Sequence, residues 1–248
     1  ICEGLVGSEM CIRDRLTALL FAELCEQAGI PDGVVNIITG DGTTGSLIVN
    51  HKDINKIAFT GSTQVGKLIQ KSLAGRDVGL TLELGGKAAN IVYEDAAIDQ
   101  AVEGVVNGIF FNQGHVCCAG SRLLLQESIH DEFITKLEKR MQTLRVGNPL
   151  DKNTDIGAVN SKEQLNKIEE LVNEGVSDGG KIFQTECELP GNGFWFKPTL
   201  FTDVQPSYSI AREEIFGPVL TTLTFRTPHE AIEICLLYTS DAADELRS

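Results

Sequence analysis

The sequence lacks a surplus of basic residues, a long apolar run and an even number of cysteines. Acidic residues outnumber basic ones by 35 to 21, for a formal charge of -14, so a broad binding surface for nucleic acid or an anionic membrane is not expected. The longest early apolar stretch, 16–24, is interrupted by Thr17 and Glu23 and is shorter than the roughly 18 residues that span a membrane. Seven cysteines fit a reducing compartment better than secretion. These absences predict a cytoplasmic protein.

What is present is an ordinary globular composition in a chain of unusual length. Hydrophobic residues make up 42% of the 248 positions and charged residues 23%, and there are 25 glycines, which excludes a disordered, collagen-like or disulfide-knot protein. At roughly 150 residues per domain, the length corresponds to about one and a half domains. We therefore expect an incomplete protein.

The two ends of the chain do not match its middle. Segments 1–15 and 235–248 show neither a helical nor a strand period. They resemble the translation of sequencing-adapter DNA, so we predict that both are non-native tails. A native but loosely ordered terminus is the alternative.

Between the ends, the apolar periodicity alternates between helix and strand. Strands separated by helices of this length imply right-handed crossovers and a parallel sheet covered on both faces, so the fold class is expected to be α/β. Ser161 followed by Gln164 indicates a capping box at the start of a helix that reaches about residue 174. The predicted helices include 16–28, 45–50, 63–73, 98–111 and 129–144, and the predicted strands are 34–39, 56–60, 80–84, 88–93, 122–126, 181–184 and 219–225.

Cys117 and Cys118 lie in the segment FFNQGHVCCAGSR, a glycine-rich turn just after an apolar helix. Glycines let a substrate approach the backbone, where a thiolate attacks and N–H groups receive the developing oxyanion, so a nucleophilic cysteine is one interpretation. A buried core cysteine is the other. Vicinal cysteines lack the spacing and the second ligand pair of zinc sites, so no metal site is predicted.

Glu83 lies in TLELGGK, at the carboxyl end of a predicted strand. Open α/β sheets bind ligands at such ends, and a partly desolvated carboxylate there could activate water. A structural Glu83 that caps the backbone or pairs with Lys87 is the alternative.

Two glycine-rich turns are candidates for binding a cofactor phosphate. Gly40, Gly42 and Gly45 match G-x-G-x-x-G, but the acidic residue that should follow about 20 positions later is missing. The second turn, 59–63, ends a strand and opens a helix. Its N–H groups and the Ser62 hydroxyl therefore form an anion site or, alternatively, an ordinary helix N-cap.

The segment EEIFGPV places Glu213 and Glu214 just before Phe216 and a Gly-Pro turn. An acid at this place could hold sugar hydroxyls while the aromatic side chain packs on a flat ring. A solvated acidic turn before a strand is the alternative.

Four of these segments, in the order FTGSTQVGK, LELGGK, NQGHVCCAGSR and EEIFGPV, resemble the signature blocks of the NAD(P)-dependent aldehyde dehydrogenase superfamily. The resemblance runs from Leu16 to about Ile234. It implies a parallel-sheet cofactor domain, present in part over 16–85, and an incomplete α/β catalytic domain over 86–234. The family's upstream blocks and the strand through which its subunits pair are missing. The chain as written is therefore expected to be an inactive fragment of a homo-oligomeric enzyme.

The resemblance also implies a role for individual residues. Cys117 is the implied nucleophile, and Glu83 is the implied general base that activates water. Glu214 would hold the nicotinamide ribose, and Phe216 would pack beside the nicotinamide. The other implied cofactor-binding positions are Gly61 and Ser62 at the pyrophosphate, Gly40 and Gly45 near the adenosine, and Thr60 and Leu84.

The implied reaction oxidises a small-molecule aldehyde to a carboxylic acid with NAD, or with NADP, through a thiohemiacetal and a thioester on Cys117. Two other classes stay open. A cysteine hydrolase or thioesterase would cleave esters whether or not nicotinamide is present. A non-catalytic relative would keep only the fold.

Overall fold

The computed structural model describes residues 15–237, and this part of the chain divides into two units between Gly85 and Gly86. Helices and mainly parallel strands make up both units, so the α/β class is confirmed. The predicted tails lie outside the described residues, except for Arg15, which begins the first helix, and 235–237, which end the last one.

The first unit contains three helices and a pair of parallel strands. The helices are α1 (Arg15–Gln27), α2 (Gly42–Asn50) and α3 (Thr63–Leu73), and the strands are β1 (Lys56–Gly61) and β2 (Gly79–Leu84). The register pairs Thr60 with Glu83 and Gly61 with Leu84, so both strands end at the same edge. Ile57, Ile69 and Leu73 form the small buried core of this unit.

The prediction of a strand over 34–39 is wrong. This segment has no strand partner among the described residues, and its Ile38 side chain is 63% exposed. An apolar run becomes a strand only where a neighbouring strand accepts its backbone hydrogen bonds. Several large apolar side chains of α1 are exposed as well, among them Leu16, Leu20, Phe21 and Leu24.

The second unit is built on a five-stranded sheet in the order β3-β4-β7-β6-β5. All its neighbouring strands are parallel except β5, which is antiparallel to β6. The strands are β3 (Ala89–Val92), β4 (Arg122–Gln126), β5 (Lys181–Gln184), β6 (Thr199–Thr202) and β7 (Val219–Phe225). Strand β6 has only four residues and directly follows a proline. It lies in a glycine- and proline-rich passage without a strand period, and for that reason the sequence does not predict it.

Helices cover both faces of this sheet. They are α4 (Ile98–Phe110), α5 (His130–Met141), α6 (Lys162–Ser177), the short α7 (Ser209–Arg212) and α8 (Pro228–Leu237). Leu123 and Leu125 of β4 pack in one cluster with Phe133 and Leu137 of α5, whereas Leu124 points into a separate cluster with Ala231 of α8. This alternation explains why β4 reads as a continuous apolar run, since a parallel strand covered on both faces buries both sets of side chains.

Candidate active site

The loop that carries the cysteines begins with an unusual backbone turn. After α4, three consecutive residues adopt positive φ angles: Asn112 at 49°, Gln113 at 58° and Gly114 at 72°. Side chains of this loop hold the turn, because the Asn112 amide donates to the His115 carbonyl at 3.1 Å and the Gln113 Oε1 accepts from the Gly157 N–H at 2.9 Å. The cysteines therefore stand on a fixed and locally strained loop.

Cys117 and Cys118 follow this turn, and both are exposed and free. Neither is a core residue, in contrast to the buried Cys25. A thiol that reagents and substrates can reach, next to glycines, is the arrangement that nucleophilic attack requires.

The cysteine loop packs directly against the EEIFGPV loop. Gly114 lies so close to the second loop that a Cβ at this position would overlap the Gly217 carbonyl. One residue further along the cysteine loop, the His115 ring stacks on Phe216, with centroids 5.4 Å apart and planes 9° from parallel. Backbone contact and ring stacking together hold the two loops against each other.

Phe216 has a positive φ of 53°, which is uncommon for a bulky residue. The Gln164 side-chain amide donates to the carbonyls of Ile215 and Phe216 at 2.8 and 3.0 Å. The predicted capping box is thus confirmed only at Ser161, whose Oγ accepts from the Gln164 backbone N–H at 3.0 Å. The Gln164 side chain instead holds the Phe216 loop in its strained form.

Glu214 places a half-buried carboxylate beside this loop contact. Burial raises the pKa of Glu214, and a hydrogen bond from the Gly86 N–H and the charges of Lys167 and Lys87 oppose that rise. Lys167 also donates to the Glu214 carbonyl at 2.9 Å. A carboxylate that accepts the Gly86 N–H has further lone pairs with which it can accept hydroxyls of a ligand.

Lys87 is the most unusual charged group near Glu214. Its side chain is 2% exposed, and Nζ has no hydrogen-bond partner in the described part of the chain. Burial and the neighbouring Arg122 charge lower the pKa of Lys87 to about 7, although Glu214 and Glu213 act in the opposite direction. Arg122 Nε also donates to the Lys87 carbonyl at 2.8 Å, which fixes the backbone of the GGK turn.

The first unit holds the other predicted site residues. Thr60 and Gly61 end β1, and Ser62 caps α3 by accepting from the Val65 N–H at 3.3 Å. A Cβ at Gly61 would meet the Phe59 ring, so a larger residue at position 61 would require that ring to move.

Gly40 and Gly45 belong to the G-x-G-x-x-G match and lie near the start of α2. Gly40 precedes the helix, and Gly45 lies in its first turn. Asp41 caps this helix with hydrogen bonds from the Thr43 and Thr44 N–H groups, which lower the pKa of Asp41.

Glu83 and Leu84 end β2. Glu83 is exposed, whereas Leu84 packs against Gly66 of α3.

Within the second unit, the structure therefore brings together the loops of Cys117, Glu214 and Phe216. Sequence reasoning missed Lys87 and His115 as buried polar groups, and it missed the tertiary role of Gln164. In the described residues no group of side chains is suited to hold a metal ion, and no helix is long and apolar enough to cross a membrane.

Comparisons with known proteins agree with one another. A family model described as "Aldehyde dehydrogenase family" matches residues 12–235. The chain is 49% identical over 238 residues to retinal dehydrogenase 2 of Taeniopygia guttata, and the match covers 94% of this chain and 45% of that protein. It is 45% identical over 219 residues to the mitochondrial aldehyde dehydrogenase of Homo sapiens, with 88% of this chain and 42% of that protein covered.

Solved structures give the same result. The structure of NAD-dependent aldehyde dehydrogenase from Sinorhizobium meliloti matches with a TM-score of 0.87 and 40% identity, and covers 90% of this chain and 45% of that chain. An NAD+ complex of aldehyde dehydrogenase from Bacillus cereus matches with a TM-score of 0.86 and 39% identity, with coverage of 90% and 46%. The chain thus spans less than half the length of these relatives.

Proposed function

Because the chain belongs to the aldehyde dehydrogenase family, we propose that it carries the nucleophile, the general base and most of the cofactor contacts of an enzyme that oxidises an aldehyde to a carboxylic acid with NAD+. The observation that carries the proposal is the exposed Cys117 thiol on a loop that packs against the loop of Glu214 and Phe216. The proposed domains are the later part of a cofactor domain, 16–85, and an incomplete catalytic domain, 86–234, with non-native tails on either side.

Cys117 performs the covalent chemistry. Its thiolate adds to the aldehyde carbon and forms a C–S bond, the carbonyl oxygen becomes an alkoxide, and the Cys117 N–H donates to that oxygen. Collapse of the alkoxide expels the aldehyde hydrogen as hydride and leaves a thioester on Cys117. A bound nicotinamide supplies the hydride acceptor.

Glu83 completes the cycle as general base. The carboxylate takes a proton from the water that attacks the thioester carbon, and the C–S bond then breaks. The products are a carboxylic acid and the free Cys117 thiolate. A general base at position 83 favours hydrolysis over transfer of the acyl group to coenzyme A.

The residues present fit an NAD+ cofactor. The half-buried Glu214 carboxylate has acceptor capacity for ribose hydroxyls, and the partly buried Phe216 ring offers a flat surface for nicotinamide. In the first unit, the Gly61–Ser62 turn at the start of α3 suits a pyrophosphate, and Thr60 and Leu84 lie at the adjoining strand ends. Gly40 and Gly45 are proposed to lie near the adenosine. NADP stays an alternative to NAD.

A chimera tests the proposed function directly. Residues 16–234 replace the matching segment of the full-length human mitochondrial relative, and formation of NADH from an aldehyde is followed by absorbance. We expect turnover that Cys117→Ala abolishes and that the neighbouring Cys118→Ala leaves largely intact. Glu83→Gln should release a burst of NADH and then stall at the thioester. A Cys117→Ala chimera that still oxidises aldehyde would exclude the proposed nucleophile.

The isolated 248-residue chain provides a second test. It spans under half of its relatives, so we expect no NAD+-dependent aldehyde oxidation from the chain alone. A cysteine hydrolase would instead cleave an activated ester without NAD+ and would be indifferent to Glu214→Ala. A non-catalytic relative would show neither activity in the chimera.

Partners and location complete the proposal. The five cysteines in the described residues are all free, which is consistent with a reducing cytoplasm. We propose a small-molecule aldehyde as the substrate and a homo-oligomer as the state of the whole protein.

A further inference from the structure

His115 is a buried polar residue to which none of the proposed chemical steps assigns a role. Its side chain is 7% exposed, and Nε2 has no hydrogen-bond partner in the described residues. Burying an unsatisfied ring nitrogen costs free energy. The contact that its imidazole makes in return is the parallel stack on Phe216, at 5.4 Å between centroids.

The stack is one of three restraints on the Phe216 ring. The Gln164 amide donates to the carbonyls of Ile215 and Phe216, which flank the Phe216 Cα. The Gly114–Gly217 contact fixes the distance between the two loops. These two restraints act on the backbone. In the part of the chain that the structure describes, the aromatic ring that stacks on Phe216 is that of His115, and this contact bears on the orientation of the Phe216 ring itself.

We infer that His115 is a positioning residue that sets the Phe216 ring at the angle at which it meets the nicotinamide. This inference rests on the proposed function, since it concerns the same cofactor site. Stacking of a neutral ring suits this role, and burial lowers the pKa of His115 so that the imidazole stays uncharged at neutral pH. The role depends on the flat aromatic shape of residue 115 and does not depend on its nitrogen atoms.

Binding of two ligands to the full chain tests the inference. NAD+ contains the nicotinamide, whereas ADP-ribose lacks it, and isothermal titration gives a dissociation constant for each. His115→Leu removes the flat ring, and we expect it to weaken NAD+ binding roughly two- to tenfold while ADP-ribose binding stays unchanged. His115→Phe keeps a flat ring and should restore NAD+ affinity. His229→Leu, in which the replaced imidazole is exposed on α8, is the matched control.

Each outcome decides between the possibilities. Equal weakening of both ligands by His115→Leu, or failure of His115→Phe to restore NAD+ binding, would overturn the positioning role. Unchanged NAD+ affinity in His115→Leu would overturn it as well. If the unmodified chain binds neither NAD+ nor ADP-ribose, the proposed cofactor function of this chain fails, and the inference fails with it for that separate reason.

A measurement without cofactor checks the stack itself. The His115 ring protons should be shifted upfield by the Phe216 ring current in the proton NMR spectrum, and Phe216→Leu should remove that shift. Ring protons at the same frequencies in both proteins would contradict the stack and overturn the inference.

Discussion

Replacing Lys87 by methionine should stabilise the second unit at neutral pH. The ammonium is 2% exposed and has no hydrogen-bond partner among the described residues, so folding strips its hydration without supplying a hydrogen bond in return. Methionine has a similar length, fills the same space and carries no charge. The expected result follows from the pKa of Lys87, which falls from 10.5 to about 7 on folding.

The size and the sign of the effect follow from proton linkage. At about 1.4 kcal/mol per pKa unit, this difference corresponds to a cost of about 5 kcal/mol, fully present below pH 7. Between pH 7 and 10.5 the unfolded chain holds more protons than the folded one, so the free energy of unfolding rises with pH across this window. Relaxation around the buried amine reduces the benefit of Lys87→Met to about 1–4 kcal/mol at pH 7.

Urea unfolding at several pH values between 7 and 10 measures this effect. The single tryptophan, Trp195, lies in the same unit as Lys87, and its fluorescence reports unfolding of that unit. The gap between the variant and the unmodified chain should be largest at pH 7 and should narrow as pH approaches 10. Lys152→Met, at an exposed lysine, should show no such trend. A variant that is less stable at pH 7, or a gap that does not change with pH, would refute the reasoning.

Three smaller perturbations test other parts of the structure by the same unfolding assay or by thermal melting. Gly114→Ala should destabilise the second unit by more than about 1 kcal/mol, because Gly114 has a left-handed φ and an added Cβ would collide with Gly217. Gly104→Ala, at an open position of helix α4, should instead stabilise this unit by about 0.5–1 kcal/mol. Similar effects of the two substitutions on stability would contradict the close loop contact. Ser62→Ala should cost the first unit about 1 kcal/mol through the lost N-cap, and no change would exclude that cap. Because burial lowers the pKa of His115, the unfolded state takes up a proton before the folded state does, so stability should fall as pH drops below about 6.5, and His115→Phe should remove that component.

Local signals predicted most of the elements because their physical causes are local. The serine N-caps of α3 and α6 and the apolar face of α5 depend on residues three or four positions apart. The prediction of a strand over 34–39 was wrong because a strand depends on a partner strand that the segment's own residues do not provide. Strand β6 was missed for the complementary reason, since β5 and β7 on either side supply the pairing for a segment of only four residues.

The residues of the candidate site likewise fall into those that local sequence reveals and those whose role depends on tertiary contacts. The sequence could single out four site residues because each lies near glycines or at a strand end, and a short segment around the residue is enough to reveal this. These residues are Cys117, Glu83, Glu214 and Phe216. Lys87 could not, because burial of an amine depends on what folds over it. The same holds for Gln164, which forms its predicted N-cap hydrogen bond with its backbone N–H but donates its side-chain amide to a loop about fifty residues away.

The groups that the sequence did not reveal share one physical property. Lys87 and His115 are polar, buried and without a hydrogen-bond partner among the described residues, and burial moves both toward the neutral form. The half-buried Glu214 is shifted toward neutral in the same way, although Lys87 lies close enough to favour its charge. If the attraction between Lys87 and Glu214 outweighed their desolvation, both pKa values would move away from neutrality. Because both pKa values shift toward the neutral forms, desolvation outweighs the attraction between Lys87 and Glu214. For this reason, removal of the Lys87 charge is expected to stabilise the fold.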